Sequence, residues 1–375
     1  MKLRSSTRAL ALSSALAATL ALAACGASNE DDNSGSGSGS DSSSSSGAEQ
    51  LSGTLNGAGS SAQQAAMQGW AAGFNGEQPD VTVNYDPVGS GGGREQWLAG
   101  GVAFAGSDAA LSDDELTQAA DLCGDQGVYE LPVYISAIAV VYNLPGVDDL
   151  NLSADTIGKI FSGTITTWND PAIAAENPDA TLPSTAITPV HRGDKSGTTK
   201  NFTDYLDQAA PGSWTGGAVD EWPTAGGEAA NGTSGVIQAV QAGEGAIGYA
   251  DESQAGDLSI ANIKVGDEFV APTPEAAAKV VEGSELVSGR GQFDFAYSIN
   301  RTTTATDEYP IVLVSYHIGC VQVDDATQAD LLKAFEGYVI SEDGQQAAAE
   351  QAGSSPLSDT LREQAQTAVD AITAA

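Results

Sequence analysis

The chain has 375 residues, of which 14 are Lys or Arg and 50 are Asp or Glu, giving a formal net charge of −36. So little positive charge argues against nucleic-acid binding, and 2 His and 3 Cys leave almost no material for metal clusters or redox CxxC chemistry. Apolar residues at 41% against 17% charged are enough for a folded core, and the length suits roughly two domains of about 150 residues each.

In chain order, residues 1–24 read as an export signal: Lys2, Arg4 and Arg8 precede an apolar stretch from Ala9 to Ala24 that is too short to span a membrane comfortably. Its end, Leu22-Ala23-Ala24-Cys25-Gly26, puts a cysteine directly after small residues, as in a bacterial lipobox. Cys25 is therefore the expected lipidated N-terminus, with the molecule held by lipid alone on the extracytoplasmic face of the membrane. Removing residues 1–24 takes away bases and no acids, so the remainder is more acidic still. Residues 25–50 carry a Ser, Gly and Asp run that cannot bury enough apolar surface to order itself, and they read as a flexible linker.

From Leu51 onward short strands alternate with Ala-rich helices, the pattern of an α/β fold. Leu51 to Asn56 is a strand candidate, Gly57-Ala58-Gly59 a tight turn, and Ser60 the N-cap of a helix through Trp70 and Phe74. Val81 to Tyr85 alternates as a strand, and Gly89-Ser90-Gly91-Gly92-Gly93 opens a helix containing Trp97. Val102 to Ala105 is a short strand ending in Gly106-Ser107-Asp108, which places a carboxylate where strands open onto clefts. On residue statistics alone, Asp108 only caps the next turn.

Ala186 to Val190 is a strand, followed by the polar loop from His191 to Thr199 and a helix with Phe202, Tyr205 and Leu206. After Asp324, Leu331, Leu332, Phe335 and Tyr338 recur at helical spacing. A helix N-terminus offers unpaired N–H groups and partial positive charge, so a small-residue loop there can cradle an oxyanion. Any one such loop is usually just a turn. Three of them, one with an Arg, in a chain this short of positive charge point to a ligand.

These residues resemble the phosphate-binding lipoproteins that serve phosphate ABC importers. The resemblance covers about Leu51 to Leu357. It rests on Gly57-Ala58-Gly59, Val88-Gly89-Ser90-Gly91-Gly92, Ala105-Gly106-Ser107-Asp108 and Arg192-Gly193-Asp194-Lys195-Ser196-Gly197-Thr198, and also on the Phe161-Ser162-Gly163 to Trp168-Asn169-Asp170-Pro171 segment and Gly245-Ala246-Ile247-Gly248-Tyr249. It implies a two-lobed periplasmic-binding-protein-like fold (type II), with a ligand cleft between lobe 1 (51–132 plus 311–375) and lobe 2 (133–310). The chain is expected to cross near Leu131-Pro132-Val133-Tyr134 and return near Tyr309-Pro310-Ile311-Val312.

For the ligand, the resemblance implies that Ser61 donates its hydroxyl and Ala62 its N–H, at positions often held by Thr and an aromatic in the family. Ser90 would donate both hydroxyl and amide. Arg192 would supply a charge-assisted fork aligned by Asp194, and Ser196, Gly197 and Thr198 would add donors from a helix start. Asp108 would be the selector: phosphate near neutral pH keeps a proton that a buried carboxylate can accept, whereas sulfate has none. The net negative charge does not oppose this, because donors act at ~3 Å while surface charge is screened beyond ~8 Å. The Phe161 to Pro171 segment is expected to pack and to touch no ligand.

The implied activity is non-enzymatic delivery of inorganic phosphate to the transmembrane permease of an ABC importer with separate ATPase subunits, by a monomer needing no cofactor. Another tetrahedral oxyanion, sulfate or molybdate, is the alternative that Asp108 opposes. Gly57-Ala58-Gly59-Ser60-Ser61-Ala62 also fits G-x-G-x-x-A, with Asp86 closing the next strand, as in a dinucleotide-binding oxidoreductase. Export and the Arg192 loop argue against it. A secreted hydrolase built on His191 or His317 lacks any G-x-S-x-G or H-E-x-x-H. An oxidising location favours a Cys123–Cys320 bond once Cys25 is lipidated, two buried thiols being the other reading. Arg94 sits either at the cleft or on a helix surface.

Overall fold

Strand-helix alternation begins at once in the computed structural model, which describes residues 50–375. The expected signal segment, Cys25 and linker residues 25–49 lie outside the described residues. Strand β1 (Gly53–Gly59) leads to α1 (Gln64–Glu77), β2 (Val81–Asp86), α2 (Ser90–Leu98), β3 (Phe104–Ser107) and α3 (Asp113–Cys123). Then come β4 (Val128–Tyr142), α4 (Ala154–Phe161), α5 (Pro171–Glu176), β5 (Thr188–Arg192), α6 (Gly197–Ala209), β6 (Glu228–Ala230), α7 (Gly232–Ala242) and β7 (Ala246–Asp251). After α8 (Pro274–Glu282) and β8 (Val312–Cys320), helices α9 (Ala326–Ile340), α10 (Glu342–Ala352) and α11 (Asp359–Ala371) end the chain.

The main strands form one sheet in the order β2-β1-β3-β8-β4-β7-β5-β6. β1 runs parallel to β2 and β3, and β5 parallel to β6 and β7, while β4 and β8 run antiparallel to their neighbours. All 15 residues of β4 are buried, which explains its near-continuous apolar sequence. Residues 128–137 of β4 pair with β8, and residues 138–142 pair with β7, so one strand hands the chain from one half of the sheet to the other between Ala137 and Ile138. The ladder with β8 is irregular at Ser315/Tyr316, opposite Tyr134 and Pro132. Pro132 has no N–H to donate there.

The expected turn at Gly57-Ala58-Gly59 is instead the end of β1. These residues lie between β2 and β3, which occupy their backbone groups on both sides. The first helix starts at Gln64 and not after Ser60; the Ser60 hydroxyl caps the preceding turn by accepting the N–H groups of Ala62 (3.1 Å) and Gln63 (3.3 Å). Ala66, Met67, Trp70 and Phe74 are the buried stripe of α1. Trp70 donates to the Gly344 carbonyl at 2.9 Å and Phe74 meets Phe335 edge-on at 5.4 Å, so the C-terminal helices cover this first half. Burying an aromatic of this kind stabilises by roughly 1.5–3 kcal/mol.

In the other half, Phe161 packs edge-on against Phe202 at 4.9 Å and Trp168 donates to the Gly245 carbonyl at 3.1 Å, in line with the packing role expected for that segment. Cys123 and Cys320 are bonded, with Cα atoms 5.0 Å apart, joining the end of α3 to the end of β8.

Asp251 ends β7 opposite Ile138, where β4 changes partner. Its carboxylate accepts from the Tyr134 hydroxyl (3.1 Å to each oxygen) and from the N–H (3.1 Å) and hydroxyl (2.5 Å) of Ser253. Burial pushes this carboxyl up to about 7 against the pull of those hydroxyls. The folded state thus holds this proton more tightly than the unfolded chain. The resulting stabilisation is complete below the ordinary Asp range near ~4 and is lost as pH rises to about 7. Ligand-free protein is therefore expected to melt lower at pH 8 than at pH 5, with up to about 3 kcal/mol of the difference due to this group, since about two pH units of the rise lie above pH 5. Asp251→Asn should flatten that slope in thermal melts; a variant with the wild-type slope would show that Asp251 does not cause it.

Candidate functional site

Three helix starts and one strand end meet where the two halves of the sheet face each other. β3 delivers Asp108, fully buried, just past its last residue. Asp108 Oδ2 accepts from the Ser90 hydroxyl (3.3 Å) and the Thr198 hydroxyl (3.4 Å), and Oδ1 from the Ser315 hydroxyl (2.8 Å). The Asp108 N–H returns to Ser90 Oγ at 3.1 Å. Ser90 opens α2, Thr198 lies in the first turn of α6, and Ser315 is on β8, so one carboxylate ties together elements from both halves. Burial pushes the Asp108 carboxyl up, and the Ser60 and Ser315 hydroxyls and the Arg192 charge oppose the rise without cancelling it.

Arg192 ends β5 and is buried. Its Nε donates to Asp194 Oδ1 at 2.8 Å and its Nη2 to Asp194 Oδ2, the two-pronged arrangement expected of an aligning partner. Asp194 also accepts the Gly232 N–H at 3.1 Å. Burial by itself raises the Asp194 carboxyl, but the guanidinium more than reverses this and leaves it below the usual carboxylate range. Ser196 caps α6, its hydroxyl accepting the Thr199 N–H at 3.1 Å. Gly197 and Thr198 are then first-turn residues whose amides have no acceptor within the helix.

Two glycines permit this closeness. A Cβ on Gly197 would lie 2.5 Å from Ser90 Oγ and 2.6 Å from the Asp108 Cβ. Gly89, at φ +91, would bring a Cβ to 2.4 Å from Asp194 Oδ2.

Ser61 is buried, and its hydroxyl pairs with Thr233 at the start of α7. The Ala62 N–H, implied as a ligand donor, is directed at Ser60 Oγ. The structure thus gathers Ser61, Ser90, Asp108, Arg192, Ser196, Gly197 and Thr198 into one buried cluster, with the half-buried Asp194 behind Arg192 and Ala62 on its edge.

The site is also clasped. Arg94 is buried rather than on a helix surface, held by Glu115 (2.8 Å) and Ser107 (3.0 Å) on its own side and reaching Asp220 (3.0 Å) beyond α6. Lys195 bonds Glu95 at 2.5 Å, and the Gly91 N–H donates to the Lys195 carbonyl at 3.2 Å.

Sequence reasoning did not find Thr233, Ser315 or Gln254, whose amide donates to the carbonyls of Ser61 and Ala62 at 3.0 Å each. Only Thr233 had a usable signal: Asn231-Gly232-Thr233-Ser234-Gly235 is another small polar loop between a strand and a helix.

Neither histidine forms a hydrolytic constellation among the described residues. His191 stacks on Trp222 (4.8 Å) with Nδ1 at 3.0 Å from the Arg192 carbonyl, and His317 is packed in the core with Nδ1 2.7 Å from Glu336. No group of three or more His, Cys, Asp or Glu side chains among the described residues is placed to hold a metal ion.

Residues 44–343 match the model of the PBP superfamily domain. The chain is 37% identical over 324 residues to the phosphate-binding protein PstS 2 of Mycobacterium tuberculosis, covering 85% of this chain and 87% of that protein. It is 38% identical over 328 residues to the phosphate-binding protein PstS3 of Mycobacterium bovis, covering 85% and 86%. Among solved structures, a high affinity periplasmic phosphate-binding protein bound with phosphate aligns with a TM-score of 0.69 at 23% identity, over 84% of this chain and 93% of that one. A phosphate-binding protein from Stenotrophomonas maltophilia aligns with a TM-score of 0.65 at 21% identity, over 84% and 93%. These structures share the two-lobed α/β periplasmic-binding-protein architecture that the sequence implies.

Proposed function

The chain belongs to the phosphate-binding protein family within the PBP superfamily, and from that premise we propose that it takes up inorganic phosphate outside the cytoplasm and delivers it to an ABC-type phosphate permease. It is a binding component of transport and not an enzyme. Lobe 1, residues 51–132 and 311–375, would close on lobe 2, residues 133–310, with the anion between them. Cys25 would anchor the molecule to the membrane surface by its lipid, the linker giving it reach, and a monomer would present its closed form to permease subunits whose ATPase is a separate chain.

The observation that carries this reading is the convergence of Asp108, Ser90 and Thr198 with a buried Arg192 that Asp194 holds in line. Phosphate has acceptors for the guanidinium, the hydroxyls and the first-turn amides of α6, and one proton for Asp108. NAD offers no use for that carboxylate at the centre of a closed cluster.

A ligand that binds only the folded state raises the melting temperature as its concentration exceeds Kd. Phosphate at about a thousand times its Kd should therefore raise the melt by several degrees, while equal sulfate or NAD leaves it in place. A shift with NAD, or none with phosphate, would overturn the proposal.

A further inference from the structure

Ser61 is held by the opposite half of the chain. Its Oγ accepts the Thr233 N–H at 3.0 Å and lies 3.0 Å from the Thr233 hydroxyl oxygen. Gln254 grips the same loop through the carbonyls of Ser61 and Ala62. Thr233 is itself buried, with 1% of its surface exposed, so this pair has no competing solvent.

A serine hydroxyl has two lone pairs and a single proton. The Thr233 N–H occupies one lone pair. If the Thr233 hydroxyl fills the other, the Ser61 proton is left free to point at a ligand; if Ser61 instead donates to Thr233, it has no proton to offer. An anion beside Ser61 selects the first arrangement. Two donors directed into one oxygen also polarise its O–H bond and strengthen it as a donor.

We infer that Thr233 is a positioning residue for phosphate: reaching across the cleft, it directs both its N–H and its O–H into Ser61 Oγ and so commits the Ser61 proton to the anion. This rests on the function proposed above. The neighbouring Gly232 N–H holds Asp194, which aligns Arg192. The start of α7 at 232–233 thereby sets a hydroxyl donor from one lobe and the guanidinium of the other in a single geometry. The contact joins residues 172 apart in sequence, one from each half, so on this reading it couples closure to ligand grip.

Thr233→Val keeps the shape and the N–H but removes the O–H, and Thr233→Ser keeps both. On the intact protein, freed of ligand and titrated with inorganic phosphate by calorimetry, Thr233→Val should weaken binding about tenfold and Thr233→Ser by less than about threefold. In a Ser61→Ala background, Thr233→Val should cause no further loss, because the hydroxyl it acts through is gone. Ligand-free melting temperatures check that each variant is folded, and Thr233→Ser keeps the test informative if valine disturbs packing.

The inference is overturned if Thr233→Val binds within about twofold of wild type, if Thr233→Ser is as impaired as Thr233→Val, or if the valine penalty persists in full beside Ser61→Ala. A wild-type protein that takes up no phosphate overturns the functional reading as well, an outcome distinct from these three.

Discussion

Replacing Arg192 with methionine is expected to weaken phosphate binding on the order of a thousandfold while leaving the protein folded. Two effects combine. The charge-assisted fork is lost from a buried side chain, and truncating one partner of a buried charge pair costs about 2–5 kcal/mol or more. Asp194 also loses its guanidinium and is left with backbone N–H donors such as that of Gly232, so a carboxylate without its counter-charge then stands beside the incoming anion.

The second effect gives the prediction its signature. Arg192→Met with Asp194→Asn should bind phosphate better than Arg192→Met alone, because the added change removes the repulsion. Arg192→Lys should fall between wild type and methionine, since an ammonium keeps the charge but cannot make the paired contact. Calorimetry on ligand-stripped protein reads all three. Binding by Arg192→Met within about tenfold of wild type would remove Arg192 from the site.

Asp108→Asn is expected to narrow the preference for phosphate over sulfate by at least about thirtyfold, equivalent to ~2 kcal/mol. In the wild-type protein Asp108 can accept the remaining phosphate proton, while sulfate brings only acceptors against a buried carboxylate. Asparagine offers an N–H that sulfate can accept, so the change should help sulfate as well as hinder phosphate.

Because burial raises the Asp108 carboxyl, acidification reaches it sooner than an exposed Asp, and a protonated Asp108 can itself donate to sulfate. Sulfate competition should accordingly grow as pH falls in the wild type and stay flat in Asp108→Asn. The readout is the ratio of the two dissociation constants at each pH. An unchanged ratio in the variant would remove Asp108 from the selecting role.

Local chemistry made much of the site legible. The segments 57–62, 88–93 and 191–199 each lead from a strand towards or into a helix, and small residues with hydroxyls at such a place are written in adjacent positions of the chain. Asp108 was readable for the same reason, as a carboxylate directly after an apolar strand. What escaped is long-range: Thr233 meets Ser61 across 172 residues and Ser315 meets Asp108 across 207, and no spacing rule connects such pairs. Ser315 lies in an apolar strand, where a lone hydroxyl looks like a packed residue.

Arg94 was ambiguous because its two acidic partners, Glu115 and Asp220, are among many acids in the chain, and only the fold selects them. The strand β1 likewise ran further than its glycines suggested, since neighbours on both sides hold it extended. Pro132, within the segment where the chain is expected to cross, is accommodated inside β4 where the ladder with β8 is irregular.

The most direct measurement is a calorimetric titration of protein unfolded to release bound ligand, refolded with its Cys123–Cys320 bond intact, and titrated with inorganic phosphate. The account predicts saturation at one phosphate per chain, with sulfate at the same concentrations producing no binding heat. Absence of phosphate binding by the refolded protein, or equal uptake of both anions, would contradict it.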